Sequence, residues 1–135
     1  MKLYHASTVQ IDKFYVPYGG IHVGGIHSAL EASLRKIRAY NGIDDIYIHL
    51  HVLEVDTGRS EMHHDEGDCA SWRKLINTYK DTDVGSVEYK NKYEPDVCNS
   101  FMLWEPERII ILETIKYIQD EAEDILNAFY EKNGI

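Results

Sequence analysis

Three strand-like runs lie close together in the C-terminal half of this chain with no helical stretch between them, and they limit its fold more than any other feature. Val84–Tyr89, Ser100–Trp104 and Arg108–Leu112 are rich in β-branched and aromatic residues, with Pro106 breaking between the last two. Parallel βαβ winding needs a helix between successive strands, so these runs predict an α+β fold with mainly antiparallel pairing. Upstream, Lys2–His5 and Ile21–Gly24 read as short strands separated by a loop holding Pro17, Gly19 and Gly20. Ile46–Val55 places Ile46, Ile48, Leu50 and Val52 on one side of a further strand. The strands therefore fall into an N-terminal and a C-terminal group, with helices between.

Helical signals fill the gaps. Ser28 followed by Glu31 has capping-box spacing, Leu30, Leu34 and Ile37 share one face, and Arg35, Lys36 and Arg38 lie off it. Asn41-Gly42 ends that helix. Residues 56–67 are polar and predict a loop, and Asp68–Lys80 predicts a second helix. Thr114–Lys132 is amphipathic: Ile115, Ile118, Ala122, Ile125 and Phe129 recur at helical spacing, while Asp120, Glu121, Glu123 and Asp124 point outward.

The 135 residues suit one domain, residues 1–135, able to bury a core without metal or disulfide. Cys69 and Cys98 form no redox or metal motif and fit a reducing compartment. No apolar run reaches membrane-spanning length and MKLYHAST lacks the apolar stretch of a signal peptide, so the expectation is a cytoplasmic protein without a membrane partner. A formal charge of −9 argues against a general nucleic-acid binder, which gains affinity by neutralising phosphates. It suits either a protein partner with a basic surface or simple solubility. His49 and His51 on a strand, with His63, His64 and Asp65 in a loop, have a spacing compatible with a transition metal. There is no HExxH and no cysteine pair, so a polar strand face is the preferred account and no metal is expected. Gly19-Gly20 and Gly24-Gly25 do not match a phosphate loop, and no GxSxG motif is present.

Three segments, taken in order, resemble the ADP-ribosyltransferase superfamily. Leu3-Tyr4-His5-Ala6-Ser7 is similar to an opening strand that ends in His-Gly-Ser/Thr. Gly20-Ile21-His22-Val23-Gly24, with the helix behind it, is similar to a Gly-Ile-Tyr-Phe-Ala strand. Val87-Glu88-Tyr89-Lys90-Asn91-Lys92-Tyr93-Glu94 and then Ser100-Phe101-Met102-Leu103-Trp104-Glu105-Pro106-Glu107-Arg108-Ile109 resemble the late strand pair of small phage and bacterial transferase-like domains. The match covers residues 3–36 and 84–112. It implies two small, mainly antiparallel sheets flanking a cleft with peripheral helices, NAD as substrate, and transfer of ADP-ribose to a macromolecular acceptor, a protein rather than nucleic acid given the acidity. A role as an effector or phage counter-defence protein follows from the same analogy.

Breaking a nicotinamide–ribose bond passes through an oxocarbenium-like state, so the site must grip the ribose, seat the nicotinamide and stabilise positive charge. On the resemblance, His5 bonds a ribose hydroxyl, the Ala6 backbone pairs with the carboxamide and Ser7 adds a ribose contact. Tyr15, Tyr18 and His22 offer flat surface to the nicotinamide ring, Tyr89 and Asn91 complete the site, and Glu94 is the carboxylate. The plainer alternatives are a structural His5, Tyr15 and Tyr18 covering the core, Tyr89 and Asn91 closing a hairpin, and Glu94 as a solvated loop residue ahead of Pro95. Two departures stand out. Ala6 replaces the family's glycine, and Ser100 stands where the family's late-strand glutamate belongs. A catalytically inactive transferase fold that binds a protein partner through its acidic surface is therefore the rival reading. A third, a 2′-phosphotransferase-like enzyme, needs several arginines around the phosphate, and the chain has only Arg35, Arg38, Arg59, Arg73 and Arg108.

Overall fold

A computed structural model describes residues 1–38, 46–94 and 96–134. Along them run β1 (Lys2–Ser7), β2 (Ile21–Val23), α1 (Ile26–Arg38), β3 (Tyr47–Val55), β4 (Arg59–His63), α2 (Cys69–Tyr79), β5 (Val84–Tyr89), β6 (Ser100–Leu103), β7 (Ile109–Ile118) and α3 (Gln119–Asn133). The fold is α+β with two sheets, in the orders β1-β3-β7 and β2-β6-β5-β4. Pairing is antiparallel except between β4 and β5. Each sheet mixes early and late strands, which corrects the expected split into N-terminal and C-terminal groups. The cause is β3: Ile48, Leu50 and Val52 on one face and His51, Leu53 and Val55 on the other are all buried, so this strand has to be central. β1 and the isoleucine-rich β7 flank it.

Three apolar clusters hold these layers. Leu30, Leu34 and Ile37 of α1 and Ala122 and Leu126 of α3 close over Ile48 and Leu50. Leu3, Phe14, Ile21, Val23, Leu53 and Leu103 pack between the sheets. Trp72 and Ile76 of α2 cover Val87 and Met102 on the outer face of the second sheet. Leu30, Leu34, Leu50, Leu53 and Leu103 are completely buried, each contributing about 1.5–3 kcal/mol of transfer free energy. Among the described residues no helix is long and apolar enough to cross a membrane.

The structure moves several expected boundaries. α1 starts at Ile26, so Ser28 lies in its first turn and not at the cap. The Ser28 hydroxyl donates back to the Gly25 carbonyl (3.1 Å), and its N–H donates to Asp96 Oδ2 (2.8 Å). A carboxylate 68 residues away thus satisfies the orphan N–H that a local capping box was expected to serve. The expected helix stop at Asn41-Gly42, and Pro95, lie outside the described residues. Residues 56–67 are not all loop, because Arg59–His63 forms β4, an edge strand beside β5. Its pairing is carried by the backbone, and its polar side chains leave no alternation to read. β7 continues to Ile118, so Ile115 and Ile118 belong to a strand and the last helix begins only at Gln119. Ile115 packs on the same α-side cluster as Ala122, so strand and helix bury one common surface and mimic a single helical stripe. The third late strand, expected at Arg108–Leu112, is also shifted: Pro106–Arg108 is a single 3-10 turn and β7 opens at Ile109.

Candidate functional site

Among the described residues the two sheets are joined by one backbone bridge. Tyr4 N–H donates to the Gly24 carbonyl (2.8 Å) and Gly24 N–H to the Tyr4 carbonyl (3.0 Å). Beyond it the sheets part around a cleft of about 680 Å³, walled by β1, β2 and α1 and by the segments following β4 and β5. In a strand, the N–H and C=O of residues two apart point the same way. Ala6 therefore turns its backbone pair to the side on which Tyr4 meets Gly24, past the end of that pairing, at the cleft wall. As a strand residue, Ala6 is in extended backbone where alanine serves as well as glycine.

Two histidines and a tyrosine form a polar chain along one wall. His5 Nδ1 lies 2.8 Å from the His22 carbonyl. A carbonyl only accepts, so Nδ1 carries the proton, and in the neutral ring Nε2 is an acceptor with no partner among the described residues. Burial, against the opposing pull of the His22 carbonyl, drives the His5 pKa down to about 4. His22 uses both nitrogens: Nε2–H donates to the Gly19 carbonyl (2.9 Å), and Nδ1 accepts from the Tyr89 hydroxyl (2.8 Å). The turn that aims Gly19 closes with Gly20 N–H on the Pro17 carbonyl (3.0 Å), and Gly20 leaves it at φ +86°, where glycine is at ease. Burial lowers the His22 pKa and raises that of Tyr89, so the pair is held as neutral imidazole and phenol. The His22 ring stands edge-on to Trp72 (4.9 Å) and Tyr89 (5.7 Å). With both nitrogens engaged, His22 positions Tyr89 and fills the wall; it has no free atom for proton transfer.

Opposite lies Glu94. Its Oε1 accepts from Arg35 NH1 (3.0 Å), while Arg35 NH2 donates to the Tyr93 carbonyl (2.7 Å). Burial raises the Glu94 pKa, Arg35 pulls it back, and the negative charges of Asp65 and Glu31 push it up again. Asp65 ties the wall together by accepting from Gly67 N–H (3.1 Å) and Lys92 N–H (3.1 Å). Asn91 Nδ2 donates to Ser100 Oγ (2.6 Å) on the buried floor. A Cβ at Gly24 would come within 2.9 Å of Ser28 Oγ and closer still to Ser100 Oγ, so the floor is filled.

The cleft thus gathers His5, Ala6, His22, Tyr89, Asn91 and Glu94, with Tyr15 at its mouth, 75% exposed beside Lys13. Ser7 and Tyr18 are not part of its wall. The Ser7 hydroxyl donates to the Val9 carbonyl within its own turn, and Tyr18 lies outside against the Arg73 guanidinium (5.0 Å). The histidines weighed as a metal group are dispersed. His51 is buried, donating from Nδ1 to the His5 carbonyl (3.0 Å) and accepting Ile11 N–H at Nε2 (2.8 Å). His63 bonds the Tyr79 hydroxyl (2.8 Å), and His64 lies 3.4 Å from Glu66. Among the described residues no three of His, Cys, Asp or Glu converge as metal ligands. Sequence reading missed Trp72, Ser33 and Lys36, all on the cleft wall. The signal for the last two was there: Ser33 is a polar residue within the apolar arc of α1, and Lys36 lies three residues on, at its edge.

No protein-family model matches the chain, and a search of curated proteins finds none similar to it.

Proposed function

We propose that this chain is an NAD-dependent ADP-ribosyltransferase with an ADP-ribosyltransferase-like fold, acting on a protein acceptor. The observation that carries the reading is the pairing of His5 and Ala6 at the cleft wall: a neutral imidazole with its Nε2 acceptor unpartnered among the described residues, next to a backbone N–H and C=O that point away from β3 and have no partner among those residues. A ribose hydroxyl can donate to the first, and a carboxamide can both donate to and accept from the second. The cleft volume lies within the range of small-molecule sites. Glu94, half-buried and held by Arg35, is the carboxylate placed to stabilise an oxocarbenium-like ribose or to orient the acceptor nucleophile. In the reaction the nicotinamide–ribose bond breaks, nicotinamide leaves with the bonding pair, and an acceptor side chain forms the new bond to the ribose carbon while losing its proton. The remaining chemistry belongs to NAD as substrate.

One observation favours the rival class. Ser100 stands at the head of β6, buried and engaged by Asn91, so that strand end offers no carboxylate. A transferase-shaped binding module without turnover would tolerate this. Incubating the protein with NAD labelled in its adenylate half, in a lysate of the cells it comes from, separates the two. Labelled protein bands that vanish with His5→Ala support the enzyme. NAD that is neither bound nor consumed, with a partner captured on the acidic surface, favours the module.

A further inference from the structure

Helix α1 presents an odd face to the cleft. Ser33 is 2% exposed, yet its hydroxyl has no hydrogen-bond partner among the described residues. A serine in a helix interior ordinarily turns to water or to the carbonyl four residues back, and leaving a buried hydroxyl unpaired costs on the order of its desolvation. One turn on, and on the same side of the helix, is Lys36. Both line the cleft. Lys36 makes no ion pair among the described residues, whereas its neighbour Arg35 bonds Glu94 and the Tyr93 carbonyl. Its charge reaches both His5 and His22, which places the ammonium within the field of the cleft wall. Lys36 is thus a cation on the same cleft wall as an unsatisfied buried hydroxyl.

We infer that Ser33 and Lys36 form an anion subsite on the α1 wall, and that it receives a phosphate oxygen of the dinucleotide's diphosphate. The hydroxyl donates one hydrogen bond and the ammonium supplies a charge-assisted one, while neutral His5 stays with the ribose. Naming the ligand as a diphosphate rests on the NAD reading; the subsite as a place for a phosphate-type anion rests on Ser33 and Lys36 alone.

Calorimetric titration of NAD, ADP-ribose, nicotinamide riboside and inorganic pyrophosphate into wild type, Ser33→Ala and Lys36→Gln tests this. ADP-ribose carries the diphosphate. Nicotinamide riboside lacks it and is a cation, so losing a lysine should not weaken it. The expected result is a loss of about tenfold or more in ADP-ribose affinity for Lys36→Gln and several-fold for Ser33→Ala, with nicotinamide riboside unchanged or tighter. Ligand-free Ser33→Ala should melt no lower than wild type, because it deletes an unsatisfied hydroxyl. A serine needed only for structure would instead lower the melting temperature. If NAD and ADP-ribose bind but neither substitution weakens them, the subsite is wrong and the NAD reading stands. If pyrophosphate binds in a Ser33- and Lys36-dependent way while NAD and nicotinamide riboside do not bind, the subsite stands and the NAD reading falls. No binding of any of the four overturns both.

Discussion

Acid should weaken this fold through His5, and a single substitution should isolate the effect. In the unfolded chain His5 takes its proton near 6.5; in the cleft wall burial holds it to about 4. Between those values the unfolded chain binds more protons, so stability is full above pH 6.5, falls as pH drops and levels off below 4. At about 1.4 kcal/mol per pH unit, the whole window amounts to about 3 kcal/mol, and about 2 kcal/mol of that is lost by pH 5. His22 and His51, also depressed by burial, add loss in the same direction. His5→Asn retains an N–H where Nδ1 donates to the His22 carbonyl but has no proton to gain. It gives up the edge contact with Phe14 (5.4 Å), a pH-independent cost. Urea unfolding of both proteins at pH 8 and pH 5 gives four free energies. The wild-type advantage should shrink by about 2 kcal/mol from pH 8 to pH 5, the contribution of His5 alone. Carboxylates and the other histidines titrate in both proteins and largely cancel. An advantage that is the same at both pH values would show that His5 is not held neutral, and with it would go the assignment of Nε2 as an acceptor.

Glu94→Gln should reduce ADP-ribose transfer by about a hundredfold or more while changing NAD affinity much less, as expected for a positioned charge; equal rates by gel assay would send the search to Glu88 and Asp96. Because Arg35 holds down a Glu94 pKa that burial raises, Arg35→Gln should move the acid limb of the transfer profile to higher pH; an unmoved limb would detach Glu94 from the rate. Tyr89→Phe strips the donor from buried His22 Nδ1 and should cost about 1–3 kcal/mol in chemical denaturation; a neutral effect would mean His22 can turn its other tautomer outward. NAD affinity measured with and without EDTA should agree, and a loss on chelation would return attention to His49, His51, His63 and His64.

What could be read from the sequence was whatever depends on local periodicity. The late strand 84–89, the helix behind Asp68 and the apolar stripe Leu30, Leu34, Ile37 sit where their patterns place them, and the strand read as 100–104 ends one residue early, at Leu103. Hidden were features decided by distant partners. β4 exists because β5 offers it a backbone edge, not because Arg59–His63 favours a strand. The cap of α1 comes from Asp96, across 68 residues, which no spacing rule can find. The end of β7 was lost because Ile115, Ala122 and Phe129 are seven apart, a helical interval that a strand followed by a helix reproduces when both face one surface. Within the site, the resemblance pointed to His5, His22 and Glu94, but only the geometry separates His5, with a nitrogen to spare, from His22, with none.

The charge distribution sets a further condition on any ligand of the cleft. At −9 the whole molecule repels an anionic dinucleotide, so long-range steering works against capture. At physiological ionic strength that repulsion fades beyond about 8 Å, and what remains inside the cleft is local. There Arg35 pairs with Glu94, and Lys13 and Lys36 share the wall with Asp65 and Asp68. The outer surface has the opposite character: Asp120, Glu121, Asp124 and Glu131 stand exposed along α3. An acidic exterior attracts a basic protein, while the cleft wall carries both signs of charge, so on the proposed reading a phosphate is held by local contacts such as Lys36 and not by a general field. On this account raising the salt should weaken capture of a basic acceptor, while NAD, relieved of the global repulsion, should lose less affinity than its own diphosphate contacts would suggest.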